Sequence, residues 1–93
     1  MMEKADLLTE FSKYLALEKR LSEATVSAYR YVARTFLADL EGKGLEVGKS
    51  KPNDISAYLA AQSGRGLKAS SVFGMGMAIR SFFRFLISKG YAQ

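Results

Sequence analysis

The sequence predicts an all-α fold, a compact four-helix bundle. Three observations carry that prediction. Apolar residues recur at spacings of three and four along nearly the whole chain. No segment alternates apolar and polar residues with a period of two, so no strand is expected. The periodic segments are joined by connections of about two to ten residues, as in compact bundles. With 93 residues, 48% of them hydrophobic, the chain has the size of one domain with one modest core.

The first helix is expected from Asp6 to Lys19, capped by Asp6, with Leu7, Leu8, Phe11, Tyr14 and Leu15 on one side. Residues 1–5 then form a disordered tail. The second and longest helix spans Ser22 to Glu41. Ser22 is a good N-cap, because its hydroxyl accepts from an otherwise unpaired backbone N–H. Leu21 and Val26 have the spacing of a hydrophobic staple across that start. Val26, Tyr29, Ala33, Phe36, Leu37 and Leu40 form its apolar stripe, and Gly42 and Gly44 end it. Glu41 to Lys51 reads as a charged, glycine-bearing loop. Pro52 opens a short third helix to Gln62, where its missing N–H costs nothing, with Ile55, Tyr58 and Leu59 inward. Ser63-Gly64-Arg65-Gly66 is a turn. The fourth helix begins near Ala69–Ser71 and stops at Gly90, with Val72, Met75, Ile79, Phe82, Phe83 and Leu86 on one face.

The charge is unevenly distributed. The net +5 comes from 14 basic and nine acidic residues. Residues 1–46 hold seven bases and eight acids, whereas residues 47–93 hold seven bases and the single acid Asp54. A one-sided positive field attracts polyanions, nucleic acid first and anionic membrane second.

Enzyme chemistry finds little footing. There is no cysteine and no histidine, which removes disulfides, the usual zinc sites, Cys/His pairs and Ser-His-Asp catalysis. Gly64-Arg65-Gly66 is too short for a phosphate loop, and Gly74-Met75-Gly76-Met77 lies inside a helix. Asp39 and Glu41, two apart on a helix, do not face each other. No cofactor or metal is called for. The apolar runs are short and the N-terminus lacks the signal-peptide pattern, so the expectation is a soluble chain of a reducing compartment.

The candidate features belong to nucleic-acid binding. Two helix starts carry small hydroxyl residues, Ser22 to Thr25 and Lys68 to Ser71, and a helix N-terminus suits a phosphate. Arg65 and Lys68 flank the second start. Arg30 with Arg34, and Arg80 with Arg84, make two basic ridges four residues apart. Each feature also has a plain reading, as an ordinary cap or a solvated face. Phe73, Met77 and Phe85 fall off the apolar face of the fourth helix and either pack on the first helix or meet another protomer.

The order of these residues is familiar. Leu17-Glu18-Lys19-Arg20-Leu21-Ser22-Glu23-Ala24-Thr25, followed by Tyr29 and Phe36, resembles the opening of the tyrosine recombinases, or phage integrases. Pro52-Asn53-Asp54-Ile55 resembles the start of their third helix. Gly66-Leu67, followed by Ile79-Arg80-Ser81-Phe82-Phe83-Arg84-Phe85-Leu86, resembles their fourth. The resemblance runs from Leu7 to Gly90. It implies a SAM-like core-binding domain over residues 6–90 that grips one face of a recombination half-site. It also implies a catalytic domain elsewhere in the same polypeptide, with residues 91–93 beginning the connector, so Tyr91 is not a nucleophile. By the same resemblance, Thr25, Ser27 and Ala28 on the second helix and Ser70, Ser71 and Gly74 on the fourth fall where DNA is met. Arg65 and Lys68 fall at the loop that approaches the backbone. Ser22, Arg30 and Arg34 complete the expected DNA-binding set.

The partners so implied are double-stranded DNA, the catalytic domain and further recombinase protomers on DNA, with no membrane, in the cytoplasm at the nucleoid. The rival expectation is a helical protein–protein interaction module for subunit assembly without DNA readout. One departure stands out: relatives carry polar or basic residues near positions 74 and 75 and an apolar one at 76, where this chain has Gly74, Met75 and Gly76.

Overall fold

A computed structural model describes residues 3–93. Four α-helices follow one another: α1 (Lys4–Lys13), α2 (Glu23–Gly42), α3 (Pro52–Gly64) and α4 (Ala69–Ser88). No strand occurs among the described residues. The all-α bundle is therefore as expected, and the differences lie at the ends of helices.

The first helix opens at Lys4, not Asp6. Glu3 occupies the cap position in extended backbone, and Asp6 sits in the first turn, where its charge complements the helix dipole. Lys4 and Ala5, expected in a disordered tail, are thus helical; the remainder of that tail, Met1 and Met2, lies outside the described residues. Nor does α1 reach Lys19 as one regular helix. It widens into a π turn over Tyr14–Glu18, which Lys19 closes by donating its N–H to the Tyr14 carbonyl at 3.1 Å. The wider turn keeps Tyr14 and Leu15 both buried and leaves Leu17 exposed.

The helix ends share one device. Gly44, Gly66 and Gly90 follow α2, α3 and α4 with φ of 71°, 86° and 77°. After α2 and α4 the Schellman pattern is complete: Leu45 donates to Leu40 O at 2.9 Å and Tyr91 to Leu86 O at 2.8 Å. At the end of the π turn the same position is held by Arg20, with φ 54°, and Leu21 donates to Leu15 O at 3.0 Å. Glycine adopts that region freely, so an arginine there costs on the order of 1 kcal/mol.

The core forms where α1, α2 and α4 meet. Phe11, Phe36, Phe82 and Phe85 are fully buried, with Leu15, Leu40, Ile79 and Leu86 around them. Phe11 stacks edge-on to Phe82 at 4.9 Å and tilts against Phe85 at 5.4 Å. Phe85 therefore packs on α1, one of the two places open to it from sequence. From α3 only Tyr58 is buried, edge-on to Phe36 at 5.3 Å. Its hydroxyl shares a hydrogen bond with Thr35 on α2. Burial pushes the Tyr58 pKa up, and the bond to Thr35 works against that shift. Val72, Met75 and Phe83, expected inward, are only half-buried; for Val72 and Met75 this is because the first turns of α4 project past the core.

By length and mean hydropathy, α4 is the one helix among the described residues long and apolar enough to cross a membrane. Its buried ridge (Ala78, Ile79, Phe82, Phe85, Leu86) is instead the core of the bundle. Tyr91 and Ala92, read from sequence as the start of a connector, are held against that bundle. The Tyr91 ring meets Phe85 at 6.2 Å, its hydroxyl donates to the Glu10 carboxylate at 3.3 Å, and Ala92 packs on the core. The Tyr91 carbonyl lies so close to Gly48 that a Cβ at position 48 would sit 2.8 Å from it. Gly48 belongs to a short 3-10 turn, Val47–Lys49, inside the expected loop.

Candidate nucleic-acid interface

The start of α2 forms as its sequence dictates. The Ser22 hydroxyl accepts from the Thr25 N–H at 3.2 Å and donates to the Thr25 hydroxyl at 3.0 Å. Ser22 is thus committed to capping, and Thr25, half-buried, is oriented by it. Ser27 and Ala28 are exposed one turn on.

The candidates on α2 do not share one face. Arg30 donates from Nη1 to the Ser12 hydroxyl on α1 at 3.2 Å. It lines, with Ser27, Lys13, Leu17 and Leu21, a cleft of about 680 Å³ between α1 and α2. Ala28 and Thr25 lie on another edge, one and two turns before Val32; Ala28 is two turns before Thr35, which bonds Tyr58 of α3. Arg34 lies over the Tyr31 ring at 5.3 Å, a cation–π contact. Tyr31 is 52% exposed. Arg65 closes α3 on the other side of Tyr58, whose hydroxyl is bonded to Thr35 on α2.

The turn between α3 and α4 is tighter than expected. α3 continues to Gly64, two residues past the expected Gln62. Arg65 caps it, donating its N–H to Gln62 O and, from Nη1, to Gln62 Oε1 at 3.3 Å. Lys68, not Ser70, is the N-cap of α4, and its side chain makes no capping bond. Ser70 and Ser71 stand exposed in the first turn of α4, beside backbone N–H groups that no side chain caps.

Gly74 is also exposed. A Cβ there would meet nothing within 4 Å, and one at Gly76 would meet only Leu59 Cδ1, at 3.6 Å. Neither glycine is required by packing within the domain. Gly74→Ala is therefore expected to stabilise the domain by about 0.8–1 kcal/mol, the helix-propensity difference, as read by thermal unfolding. A loss of duplex affinity in that stabilised variant would mean that a bound surface comes close to position 74.

Ion pairs mark out what is left free. Among the described residues they join Lys4 to Glu41, Lys43 to Asp39, Lys49 to Glu46 and Lys89 to Glu18. All involve the start of α1, the π turn, the end of α2 with its loop, or the end of α4. Arg34, Arg65, Lys68, Arg80 and Arg84, like Lys13, Lys19, Arg20, Arg30 and Lys51, take part in none and are exposed. The sequence-based set omits Tyr31 and Arg20. The i, i+3 spacing of Tyr31 and Arg34 was legible; the strained backbone of Arg20 was not.

The family model for the phage integrase N-terminal SAM-like domain matches residues 8–90. The tyrosine recombinase XerC of Methylobacterium nodulans is 37% identical over 82 residues, covering 83% of this chain and 26% of that protein. XerC of Mesorhizobium japonicum is 40% identical over 85 residues, covering 84% and 27%. The tyrosine recombinase XerD of Chlorobaculum tepidum is 34% identical over 85 residues, covering 91% and 28%. The chain thus spans about a quarter of the length of the curated relatives it matches. No solved structure matches. With the four-helix architecture and this match along nearly its whole length, the chain belongs to the phage integrase N-terminal SAM-like family, the N-terminal domain of tyrosine recombinases.

Proposed function

We propose that this domain binds double-stranded DNA at a recombination half-site, while a catalytic domain of the same polypeptide cuts and rejoins the strands. The observation that carries this reading is the pair of cations at the α3–α4 turn without an ion pair, Arg65 and Lys68, beside the uncapped start of α4. Backbone N–H groups and cations together suit phosphate oxygens. Arg34, Arg65 and Lys68 take the phosphate backbone. Thr25 and Ala28 on α2, with Ser70, Ser71 and Gly74 on α4, face the grooves. Ser22 orients Thr25, and Ser27 with Arg30 reaches the backbone from the α1 edge.

Phosphate-dominated affinity has a salt signature. If four phosphates are neutralised, log K falls against log salt with a slope of about −3.6. Fluorescence anisotropy of a labelled duplex over a salt series measures it. Binding indifferent to salt, or no binding at low salt, overturns the proposal.

A further inference from the structure

The outer face of α4 is far more apolar than the bundle needs. Only 28% of its most apolar stretch is buried. Phe73 is 71% exposed, Met77 42% and Ile87 54%. These three are not scattered. Phe73, Met77, Arg80, Arg84 and Ile87 succeed one another at steps of four, three, four and three residues, all exposed. That alternation is the rhythm of a coiled-coil seam, in which every side chain of the row meets a partner helix. The seam is apolar at both ends and cationic in the middle. Among the described residues neither Arg80 nor Arg84 has an ion pair, and no acidic residue follows Asp54 in the sequence.

The charge in the seam discriminates between occupants. A second copy of the chain fits badly: a parallel pair sets Arg80 and Arg84 against themselves, and an antiparallel pair centred on Arg80 sets Arg80 against Arg80. Like charges facing each other in a seam reject that pairing. A bilayer fits badly too. A membrane-surface helix keeps its cations beside the apolar stripe, whereas Arg80 and Arg84 interrupt it. A duplex seated on the neighbouring Ser70 and Gly74 competes for the Phe73 end of this face, but it would leave Phe73, Met77 and Ile87 against phosphates. A helix with carboxylates in the middle and apolar side chains at the ends satisfies all five positions. We propose that this face of α4 pairs with such an acidic amphipathic helix, supplied by a different protein.

Two synthetic helical peptides test this by calorimetric titration against the 93-residue chain. They share apolar seam ends and carry either glutamates or lysines opposite Arg80 and Arg84. The glutamate peptide is expected to bind at least about tenfold more tightly. Arg80→Glu with Arg84→Glu inverts that preference. Arg80→Ala with Arg84→Ala abolishes it, and Phe73→Ala with Ile87→Ala weakens the glutamate peptide. Equal affinities, or no binding of either peptide, overturn the proposal. So does a dimer in sedimentation equilibrium that Phe73→Ala with Ile87→Ala dissolves, or binding to anionic phosphatidylglycerol vesicles that Arg80→Glu with Arg84→Glu removes. A loss of duplex affinity of about tenfold in the Arg80→Ala, Arg84→Ala variant gives the face to DNA and overturns it as well.

Discussion

Replacing Arg65 and Lys68 together by alanine is expected to weaken duplex binding by about tenfold for each cation lost. The plot of log K against log salt should become shallower by about 1.8, the contribution of two phosphates. The reason is local. The Arg65 side chain has a single weak partner, Gln62 at 3.3 Å, and Lys68 makes no capping bond, so neither charge is spent within the fold. Their removal leaves the core untouched, and stability should change by no more than about 0.5 kcal/mol. Because phosphates carry no sequence information, the loss should be uniform across duplexes of different sequence. Anisotropy titrations of the double variant at several salt concentrations check this. Unchanged affinity and an unchanged slope would remove the α3–α4 turn from the interface.

The second large effect concerns stability. Phe82→Ala is expected to cost about 3–5 kcal/mol, since the ring is fully buried against Phe11, Phe83 and Phe85 and nothing nearby can fill its volume. In a domain of this size each kcal/mol moves the melting temperature by about 4–8 °C, so the midpoint should fall by roughly 12–40 °C. Phe73→Ala on the same helix is the internal control: its ring is mostly solvent-exposed, and the change should stay within about 0.5 kcal/mol. Circular-dichroism melts of the two variants give the comparison. Similar melting points would mean that the core does not close where α1, α2 and α4 cross.

Residue identity and spacing were enough for the architecture. The apolar row of α2, the serine at its start and the proline at the start of α3 each act through neighbours a few residues away, and such short-range effects are written in the sequence. Phe85 and Phe73 show where that reading stops. Twelve positions apart on α4, both fall off the apolar face derived from spacing, yet one is sealed under α1 and the other stands in solvent. The difference depends on where α1 crosses α4, which no local pattern encodes. The π turn is similar: nothing in Tyr14–Glu18 distinguishes it from ordinary helix.

The candidate interface was legible as a list and not as a surface. Arg30 and Arg34 look equivalent on paper, four residues apart on one helix. One donates to Ser12 on α1 and the other lies over Tyr31, so two neighbours on one face are engaged differently. Likewise Ser70 resembles the cap of α4, but the turn closes early enough for Lys68 to take that position and leave the serine hydroxyl unengaged. Charge asymmetry survives the folding better than any single assignment. Four of the eight acids of the first half pair with lysines at the ends of the bundle, and among the described residues the later arginines have no ion pair.

The close approach of the Tyr91 carbonyl to Gly48 has a mechanical consequence. A chain seated on a glycine, with its ring wedged beside Phe85, leaves the bundle from a fixed point and in a fixed direction. Under the function proposed above, a catalytic domain further along the polypeptide would inherit that bearing, and its reach would depend on tether length rather than on pivoting at the root. Gly48→Ala would push on backbone and loosen the anchorage, turning a rigid mount into a swivel.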